Sequence, residues 1–597
     1  MSSDDPATWA HLHHALPGTS VVEVMRYRGS VSRLERGMLA RARRGEVLEF
    51  PSTSGGRRIP AVVVAWLVSE LTRDGWQGRP FHLRGPRITG FLDLSHVTLP
   101  GQVVFEDCLF EEPIDLTSAE GTSLIIRNAA VPGMHAKGMR LRGDLEYIDV
   151  CSGAVDLFGA NIGGQLWLTG TTVTADTADW AISAPSLVVA GGLYGRGLIA
   201  EGGVNLWGAD IGASLELDAA RLTADGRAAL RADNLTVRLD MRLSGPLVVD
   251  GGIDMFGASI GGQLWLADAQ IGAGNAGWAI NAPGLTVSGG MYAHRLTTRG
   301  GVNLWGADIG AGIELDGATL TAEHGPALRA PGLSVNGDIH LTAGCTVTGQ
   351  TDLSDTTVTG TLTITDTTLI SARQPTLNLT AAHLTTVRLG TIHGHDLGVD
   401  LRGATITTLH DEPESWPQTL WLDRLSYTNL LPYLPGTHRL RWLGRDLEAG
   451  RPDAYQQLAG FYRRAGQDHE ARTVLLAKHR RLRRELALPA KLWGYLQDTL
   501  VGYGYRPIRA FTWLTALIAT LAAYTTLQPP QPASTSSPSF NPLAYAADVV
   551  LPILNLGQEQ TYQPTGPGQW IAWTATLTGW ILTTAVLTAA TRTIARE

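Results

Sequence analysis

Carboxylate side chains recur at fixed intervals along this chain, and carboxylates are common acid–base catalysts. The recurring residues are Asp156, Asp254 and Asp352, with Asp400 near the same register, then Asp210 with Asp308, and Glu216 with Glu314. A catalytic pair occupies one special environment, as in enzymes that cleave polysaccharides. Regular recurrence is instead typical of residues that bind backbone N–H groups in turns. The spacing therefore favours structural carboxylates, and an enzyme acting on a carbohydrate or lipid-linked substrate is the alternative.

Histidines, which often bind metal ions, form two groups in the sequence. The first contains His11, His13 and His14, and the second contains His393, His395 and His410 with Asp396 and Asp411 nearby. Neither group has the spacing of a known zinc motif. We therefore predict no metal site, and interpret the first group as a disordered tail and the second as polar residues at one end of the repeats.

Segment GRGLIA, residues 195–200, is the closest match to a dinucleotide-binding loop. Its copy 98 residues later is AHRLTT, in which both glycines are replaced, and no strand–helix unit adjoins it. The sequence contains no P-loop, H-E-x-x-H or paired C-x-x-C motif. Cys108, Cys151 and Cys345 share no ligand or redox spacing and fit reduced, packed thiols in the cytosol. We therefore predict no cofactor.

Tryptophans are the residues most suited to binding. Trp167, Trp207, Trp265 and Trp305 each follow a regularly spaced apolar residue. Neighbouring residues of an extended segment point to opposite sides, so these four indoles should face outward. Exposed indoles form apolar platforms that bind sugars, lipids or protein partners. The alternative is that longer loops around Trp180 and Trp278 fold over them.

A basic run, KHRRLRRE, precedes the apolar C-terminal region. It contains Lys478, Arg480, Arg481, Arg483 and Arg484. We expect these side chains to contact anionic lipid headgroups, at about 1 kcal/mol per charge. A net charge of −8 over the whole chain does not provide the dense acidic surface of a DNA mimic. No nucleic-acid partner is predicted.

An internal repeat positions these residues. The sequence GGVNLWGADIGA at residues 202–213 recurs unchanged at residues 300–311, and GGQLWL at 163–168 recurs at 261–266, both shifted by 98. Half of that period is also present, because Asp156, Asn205, Asp254, Asn303 and Asp352 stand 49 residues apart. The structural unit is therefore about 49 residues long.

Apolar residues within a unit predict how the chain folds. They fall mostly five or six residues apart, at Leu206, Ile211, Leu217 and Leu222, then at Leu230, Leu235, Met241 and Leu247. A helix would repeat at three and four and a strand at two, so neither fits. We predict a coil of about 24 residues with four short sides, one inward apolar residue on each, and two coils per unit.

Small residues precede many of these positions by two, as Ala160 precedes Ile162 and Ala209 precedes Ile211, and both members should face inward. The triplets Ala160-Asn161-Ile162 and Ala209-Asp210-Ile211 resemble the A-(D/N)-L-x-x motif of the pentapeptide-repeat class. That resemblance implies a mainly β fold, a right-handed, four-sided parallel β-helix. We place this solenoid at residues 83–410, about 13 coils, or about 60 Å at about 4.8 Å per coil.

The remaining segments are predicted to be helical. Residues 1–82 contain two amphipathic helices that cap the solenoid, and residues 411–505 form a linker and a tetratricopeptide-like neck. Residues 506–597 form a membrane domain with spans 510–527 and 570–591. The apolar segment 543–557 is too short to span, so an interfacial or re-entrant helix is expected.

Charge distribution predicts the orientation in the membrane. Loop 528–569 contains no Lys or Arg, whereas Arg506 and Arg509 precede the first span and Arg592 and Arg596 follow the second. The positive-inside rule then places this loop outside and both termini, with the solenoid, in the cytoplasm. No secretory signal is evident at the amino terminus, in agreement with that orientation.

The whole arrangement resembles a family of actinobacterial plasma-membrane proteins, on the segments LRGPRITGFLDL, AYQQLAGFYRRAGQDHEA and ADVVLPILNLGQE. Members are often labelled membrane-associated oxidoreductase, so the resemblance also implies redox activity. No residues here would hold a flavin, nicotinamide, haem or iron–sulfur cluster. We therefore predict a membrane-anchored scaffold or binding protein that contacts lipids and a protein partner or another copy of itself, with an oxidoreductase as an alternative.

Overall fold

The computed structural model divides into two compact units, residues 1–432 and 433–597. It describes residues 31–594 except for 51–57, 74–78, 176–179, 274–276, 448–451, 484–486, 502–506 and 535–538. The histidines at positions 11, 13 and 14 lie outside the described residues.

The first unit is a parallel β-solenoid of about 16 turns. Each coil has four short strands, named faces 1 to 4 in chain order, and each strand pairs with the same face of the next coil. One coil comprises Ile199–Glu201, Val204–Asn205, Asp210–Ile211 and Leu215–Glu216, and the next comprises Arg221–Thr223, Leu230–Arg231, Thr236–Val237 and Met241–Arg242. Face 1 returns at Val248–Gly251, so the predicted 49-residue unit consists of two coils.

The ladders extend beyond the predicted limits of 83 and 410. The first strands of faces 1, 2, 3 and 4 are, in that order, Arg58–Pro60, Leu92–Asp93, Glu120–Gly121 and Leu48–Glu49. The last strands of faces 1 and 2 are Ile392–His393 and Thr419–Trp421. The strand Ser426–Leu431 is the last one of both face 3 and face 4. Near the C-terminal end the strands lengthen, so that Thr357–Ile364 serves faces 3 and 4 together. The periodicity is lost at both ends because insertions and longer strands interrupt it.

Two helices lie near the amino-terminal end, as the apolar spacing predicts. Helix α1, Arg33–Arg43, begins with a capping box in which the Ser32 hydroxyl accepts from the Glu35 amide and the Glu35 carboxylate accepts from the Ser32 amide. Helix α2, Ala61–Arg73, is buried over most of its surface. Because α2 lies between the first two strands of face 4, it is inserted into the solenoid and is not a separate domain.

Inward residues alternate in size at the corner between faces 2 and 3. In every second coil the large residue comes first and Ala follows three residues later, as in the pairs Leu157 and Ala160, Leu206 and Ala209, Met255 and Ala258, and Leu304 and Ala307. In the coils between them Ala comes first and Leu follows three residues later, as in the pairs Ala184 and Leu187, Ala232 and Leu235, Ala282 and Leu285, and Ala330 and Leu333. All sixteen are at most 2% exposed. Each of these eight corners holds one large and one small residue, in an order that reverses from coil to coil, which fills the interior evenly. This reversal explains why the repeat is two coils long.

One expectation about the interior is wrong. The spacing predicts a single inward apolar residue on each side, but alternate residues of each strand and corner face inward together, as Val204 and Leu206 do, followed by Ala209 and Ile211. The inward alanines are predicted from their spacing, whereas additional inward valines such as Val204 are not. The predicted inward direction of Ala209 and Ile211 is confirmed, since they are 1% and 0% exposed.

The second unit is helical. Its first four helices are α3, Gly436–Leu443; α4, Asp453–Arg464; α5, Asp468–Arg483; and α6, Leu488–Val501. Helices α4 and α5 form the predicted pair. The Tyr462 hydroxyl of α4 donates to the Leu434 carbonyl (2.6 Å), and the Glu470 carboxylate of α5 accepts from the Gly436 amide (2.7 Å).

Four further helices are α7, Pro507–Leu527; α8, Pro542–Val550; α9, Gln558–Thr561; and α10, Pro567–Ile594. Of the described residues, only Ile508–Leu527 forms a helix that is long and apolar enough by composition to cross a membrane. The structure thus gives one candidate span where the sequence predicts two. The second prediction, residues 570–591, falls within α10, whose side chains are only partly described.

The segment predicted to be interfacial or re-entrant forms α8, which packs with α7 and α10. Tyr545, Ala546 and Val550 of α8 share a buried cluster with Leu521 of α7 and Leu582 of α10. A Cβ added to Gly579 of α10 would lie 2.1 Å from the Val550 carbonyl oxygen, so α8 ends directly against that helix. The glycine is required by this close backbone approach.

Candidate functional site

Four large aromatic side chains protrude from the corner between faces 2 and 3. Phe158, Trp207, Phe256 and Trp305 are 53%, 43%, 56% and 55% exposed, at intervals of 49 residues. Each lies in a turn between the large and the small inward residue of its coil. Folded proteins rarely expose aromatic residues in a row, and such patches mark interaction sites.

The coils between them place other residues at the same corner. Pro185, Pro283 and Pro331 stand there, and backbone hydrogen bonds connect them to the aromatic coils, as from Gly159 to Pro185 (2.9 Å) and from Gly306 to Pro331 (2.9 Å). At about 4.8 Å per coil, successive aromatic residues are about 10 Å apart. We call this row of four aromatic and three proline residues the aromatic ridge. Asp233 interrupts it between Trp207 and Phe256.

Recurring Asp and Asn residues hold the ridge turns in place. The Asp156 carboxylate accepts from the Phe158 amide (3.0 Å), and the side-chain oxygens of Asn205 and Asn303 accept from the amides of Trp207 (3.1 Å) and Trp305 (3.3 Å). Asp352 and Asp400 bind the amide two residues later in the same way. The prediction that the recurring carboxylates bind N–H groups in turns is therefore confirmed for Asp156, Asp352 and Asp400, whereas the Asp254 carboxylate accepts from a side chain instead.

Some of the same side chains also bind each other. The Asn281 amide donates to the Asp254 carboxylate (3.2 Å), and the Asn303 amide donates to the Asn281 carbonyl oxygen (2.9 Å), which links three successive coils. Burial raises the pKa of Asp254, and the hydrogen bond from Asn281 opposes that rise. This ladder fixes the register of the coils that carry Phe256 and Trp305.

The other two predicted tryptophans lie on a different surface. Trp167 and Trp265 are in strands of face 4, where they stack on Tyr194 and Tyr292 of the next coil, with ring centroids 4.5 and 4.6 Å apart. Stacking leaves them half-buried. The four predicted residues are therefore two pairs, and the structure does not bring the pairs together.

Loop tryptophans occupy another corner. Trp180 packs near Gly203, between faces 1 and 2, and the Arg227 guanidinium lies 4.4 Å from the centre of its ring. Trp278 packs in the same way against Gly301. The described parts of these loops thus cover the corner between faces 1 and 2, and they leave Trp207 and Trp305 exposed.

Of the predicted histidine group, His393 lies on face 1 and His410 on face 4, and Asp411 accepts instead from the Trp416 indole (2.8 Å). A histidine cluster that the sequence did not predict lies at the end of face 4, where the corner to face 1 begins. His294 Nε2 is 2.8 Å from Glu314 Oε2, and His294 Nδ1 is 3.7 Å from Asp316 Oδ2. The sequence contains one signal for this cluster, a difference between the two internal copies. The residue 98 positions before His294 is Arg196, so arginine in the first copy is replaced by histidine in the second.

The basic run is partly neutralised within its own unit. Arg480 and Arg483 of α5 both bind the Asp498 carboxylate of α6, at 3.0 and 3.2 Å. Those two cations lower the pKa of Asp498 against the opposing effect of burial. Partial burial also lowers the pKa of Lys478. Arg484 lies outside the described residues, so Lys478 and Arg481 are what the described part of the run offers to a lipid surface.

A comparison with profiles of known protein families, with curated proteins and with solved structures finds no match in any of the three. The resemblance to actinobacterial membrane proteins therefore stays a prediction. Among the described residues of the solenoid, the aromatic ridge exposes four large aromatic side chains in one row.

Proposed function

We propose that this protein is a membrane-anchored scaffold whose aromatic ridge docks a protein partner at the cytoplasmic face of the membrane. The observation that carries this proposal is the row of four exposed aromatic residues with prolines between them. Rigid aromatic side chains are typical anchors of protein interfaces, since they bury large areas at a low entropic cost. A solenoid presents them at fixed spacing, so the surface is organised before a partner binds.

Membrane attachment is the second part of the proposal. It rests on the candidate span at Ile508–Leu527, on the apolar character of α10, and on the absence of Lys and Arg from residues 528–569. In this proposal α7 and α10 both cross the membrane, and α8 enters it from the outer side as a re-entrant helix. In this proposal the solenoid is also right-handed and of the pentapeptide-repeat type, as the A-(D/N)-L motif implies.

Replacing the two ridge tryptophans should abolish partner binding. Each buried aromatic anchor contributes about 2 kcal/mol, so Trp207→Ser together with Trp305→Ser should weaken binding about a thousandfold. Chemical cross-linking in native membranes, followed by identification of the cross-linked species, measures the effect. The matched control is Trp167→Ser with Trp265→Ser, which removes the same residue type, again 98 residues apart, from face 4.

Three outcomes are informative. Loss of the cross-linked partner in the ridge variant but not in the face 4 control supports the proposal. Equal cross-linking in both variants contradicts the assignment of the ridge. Cross-linked species that contain only differently tagged copies of this chain would replace the partner with self-association.

Native cysteines allow a test of the orientation without new substitutions. Cys151 is exposed, whereas Cys108 and Cys345 are buried. Burial raises the pKa of both buried thiols to about 12, so they hold almost no reactive thiolate at neutral pH. A membrane-impermeant maleimide should therefore label one thiol per chain, and only after the cells are permeabilised.

The control for this labelling is Cys151→Ser, which should label only after denaturation. Labelling of Cys151 in intact cells would place the solenoid outside and overturn the proposed orientation.

The two buried thiols, Cys108 and Cys345, also make the stability of the fold depend on pH. Because thiols ionise near pH 9 in the unfolded chain and these two ionise near pH 12 in the folded chain, their stabilising effect is complete below pH 9 and declines between pH 9 and 12.

A further inference from the structure

Three side chains of metal-binding types, from two adjacent coils, converge where face 4 ends and the corner to face 1 begins. The ligand atoms of His294, Glu314 and Asp316 all lie within 4.8 Å of one another. Their side chains are 32%, 35% and 28% exposed, so an ion can reach them from solvent. Atoms that share a zinc ion at about 2.0–2.2 Å are about 3.5 Å apart, so rotamer adjustments are enough to bring the three together.

Neighbouring side chains orient this cluster. The Tyr292 ring lies nearly parallel to the His294 imidazole, with centroids 6.4 Å apart, and Tyr292 itself stacks on Trp265. The Thr342 hydroxyl donates to Asp316 Oδ1, which leaves the second oxygen of that carboxylate facing His294. Such contacts around a ligand set fix its geometry and raise its affinity.

The internal copy 98 residues earlier shows what a purely structural version looks like. Glu216 and Asp218 occupy the places of Glu314 and Asp316, but Arg196 and Arg242 stand where the second copy has His294 and His340. There the Arg242 guanidinium binds the Asp218 carboxylate (3.3 Å) and neutralises it permanently. The stacked Trp–Tyr pair is the same in both copies.

The second copy thus keeps both carboxylates and replaces both arginines with histidines. His340 lies in register with Glu314 on the following coil. Arginine cannot bind a metal ion, because it stays protonated, whereas neutral imidazole is a common metal ligand at pH 7. Where the first copy has two guanidinium groups, which cannot bind a metal ion, the second copy therefore has two imidazoles, which can.

We propose that His294, Glu314 and Asp316 bind a divalent transition-metal ion, with His340 beside them as a further ligand. One or two imidazoles with two carboxylates are a ligand set that zinc and neighbouring metals accept. The ion would link successive coils and keep open positions toward solvent. This proposal is independent of the aromatic ridge, which lies at a different corner.

Zinc titration of the full-length protein tests the site. Tag-free protein in detergent is treated with chelator and titrated with ZnCl₂, and bound metal is measured by calorimetry and elemental analysis. The variant His294→Arg with His340→Arg reproduces the first copy, an arrangement that this chain already folds. It should lose one zinc equivalent relative to the wild type, and Glu314→Gln should weaken the same equivalent.

A reciprocal variant makes the test sharper. Arg196→His with Arg242→His installs the second arrangement in the first copy, and it should gain one zinc equivalent. Circular dichroism of all variants checks that the solenoid is intact. Equal zinc content in the wild type and the His294→Arg, His340→Arg variant would overturn the proposal, because any bound zinc would then belong to other residues.

Discussion

Gly310→Val should unfold a large part of the solenoid. A Cβ at Gly310 would lie 2.1 Å from the Ser288 carbonyl oxygen of the preceding coil, which is far inside van der Waals contact. The obstacle is backbone, and the Gly310 amide donates to the Val287 carbonyl at 2.7 Å, so neither coil can move away without breaking the ladder. We expect a loss of about 3–5 kcal/mol, measured by denaturant unfolding of the full-length protein.

A glycine four residues earlier provides the control. Gly306 has a φ of +61° but no neighbouring atom within 4 Å of an added Cβ. Asparagine accepts this left-handed conformation readily, so Gly306→Asn should cost less than about 1 kcal/mol. If the two variants were equally stable, close approach between coils would not be the reason for the glycine. Gly212 meets the Ala190 carbonyl in the same way, so Gly212→Val should repeat the effect two units earlier in the chain.

Sequence periodicity was enough to predict the solenoid, its unit and the outward direction of its tryptophans. The reason is that every coil places the same residue types in the same environment, so one chain carries several copies of the same information. The periodicity did not separate Trp207 from Trp167. Both follow leucine, but Leu206 is the first residue of a corner, where the next residue protrudes, while Leu166 opens a strand, where the next residue stacks on its neighbour.

The ends and the histidine cluster were harder to predict, for different physical reasons. Helix α2 is inserted between the first two strands of face 4, and this insertion hides the coil that begins at Leu48. His294 and Asp316 are 22 residues apart and meet only because coils stack. Comparing internal copies would have found the cluster, since a change from arginine to histidine beside retained carboxylates alters the chemistry and not the fold.

Exchanging a large and a small residue within one corner should destabilise the solenoid although it conserves volume. Leu304 and Ala307 are 2% and 1% exposed, and the corners of the adjacent coils have the reverse order. Leu304→Ala alone should cost about 2–5 kcal/mol through the cavity it leaves, and Ala307→Leu alone about 1–3 kcal/mol through overpacking. The same unfolding measurement applies to each variant.

The double variant, Leu304→Ala with Ala307→Leu, distinguishes packing within a coil from packing between coils. The new alanine would stack between Ala282 and Ala330, which leaves a void, and the new leucine would complete a row of three leucines at the other position. We therefore expect a loss of at least about 3 kcal/mol, with no recovery relative to Leu304→Ala. Recovery to within about 1 kcal/mol of the wild type would mean that volume within one coil is sufficient. In that case the two-coil repeat would need another cause, and the most direct one is the ridge, whose aromatic residues occur only where the large residue comes first.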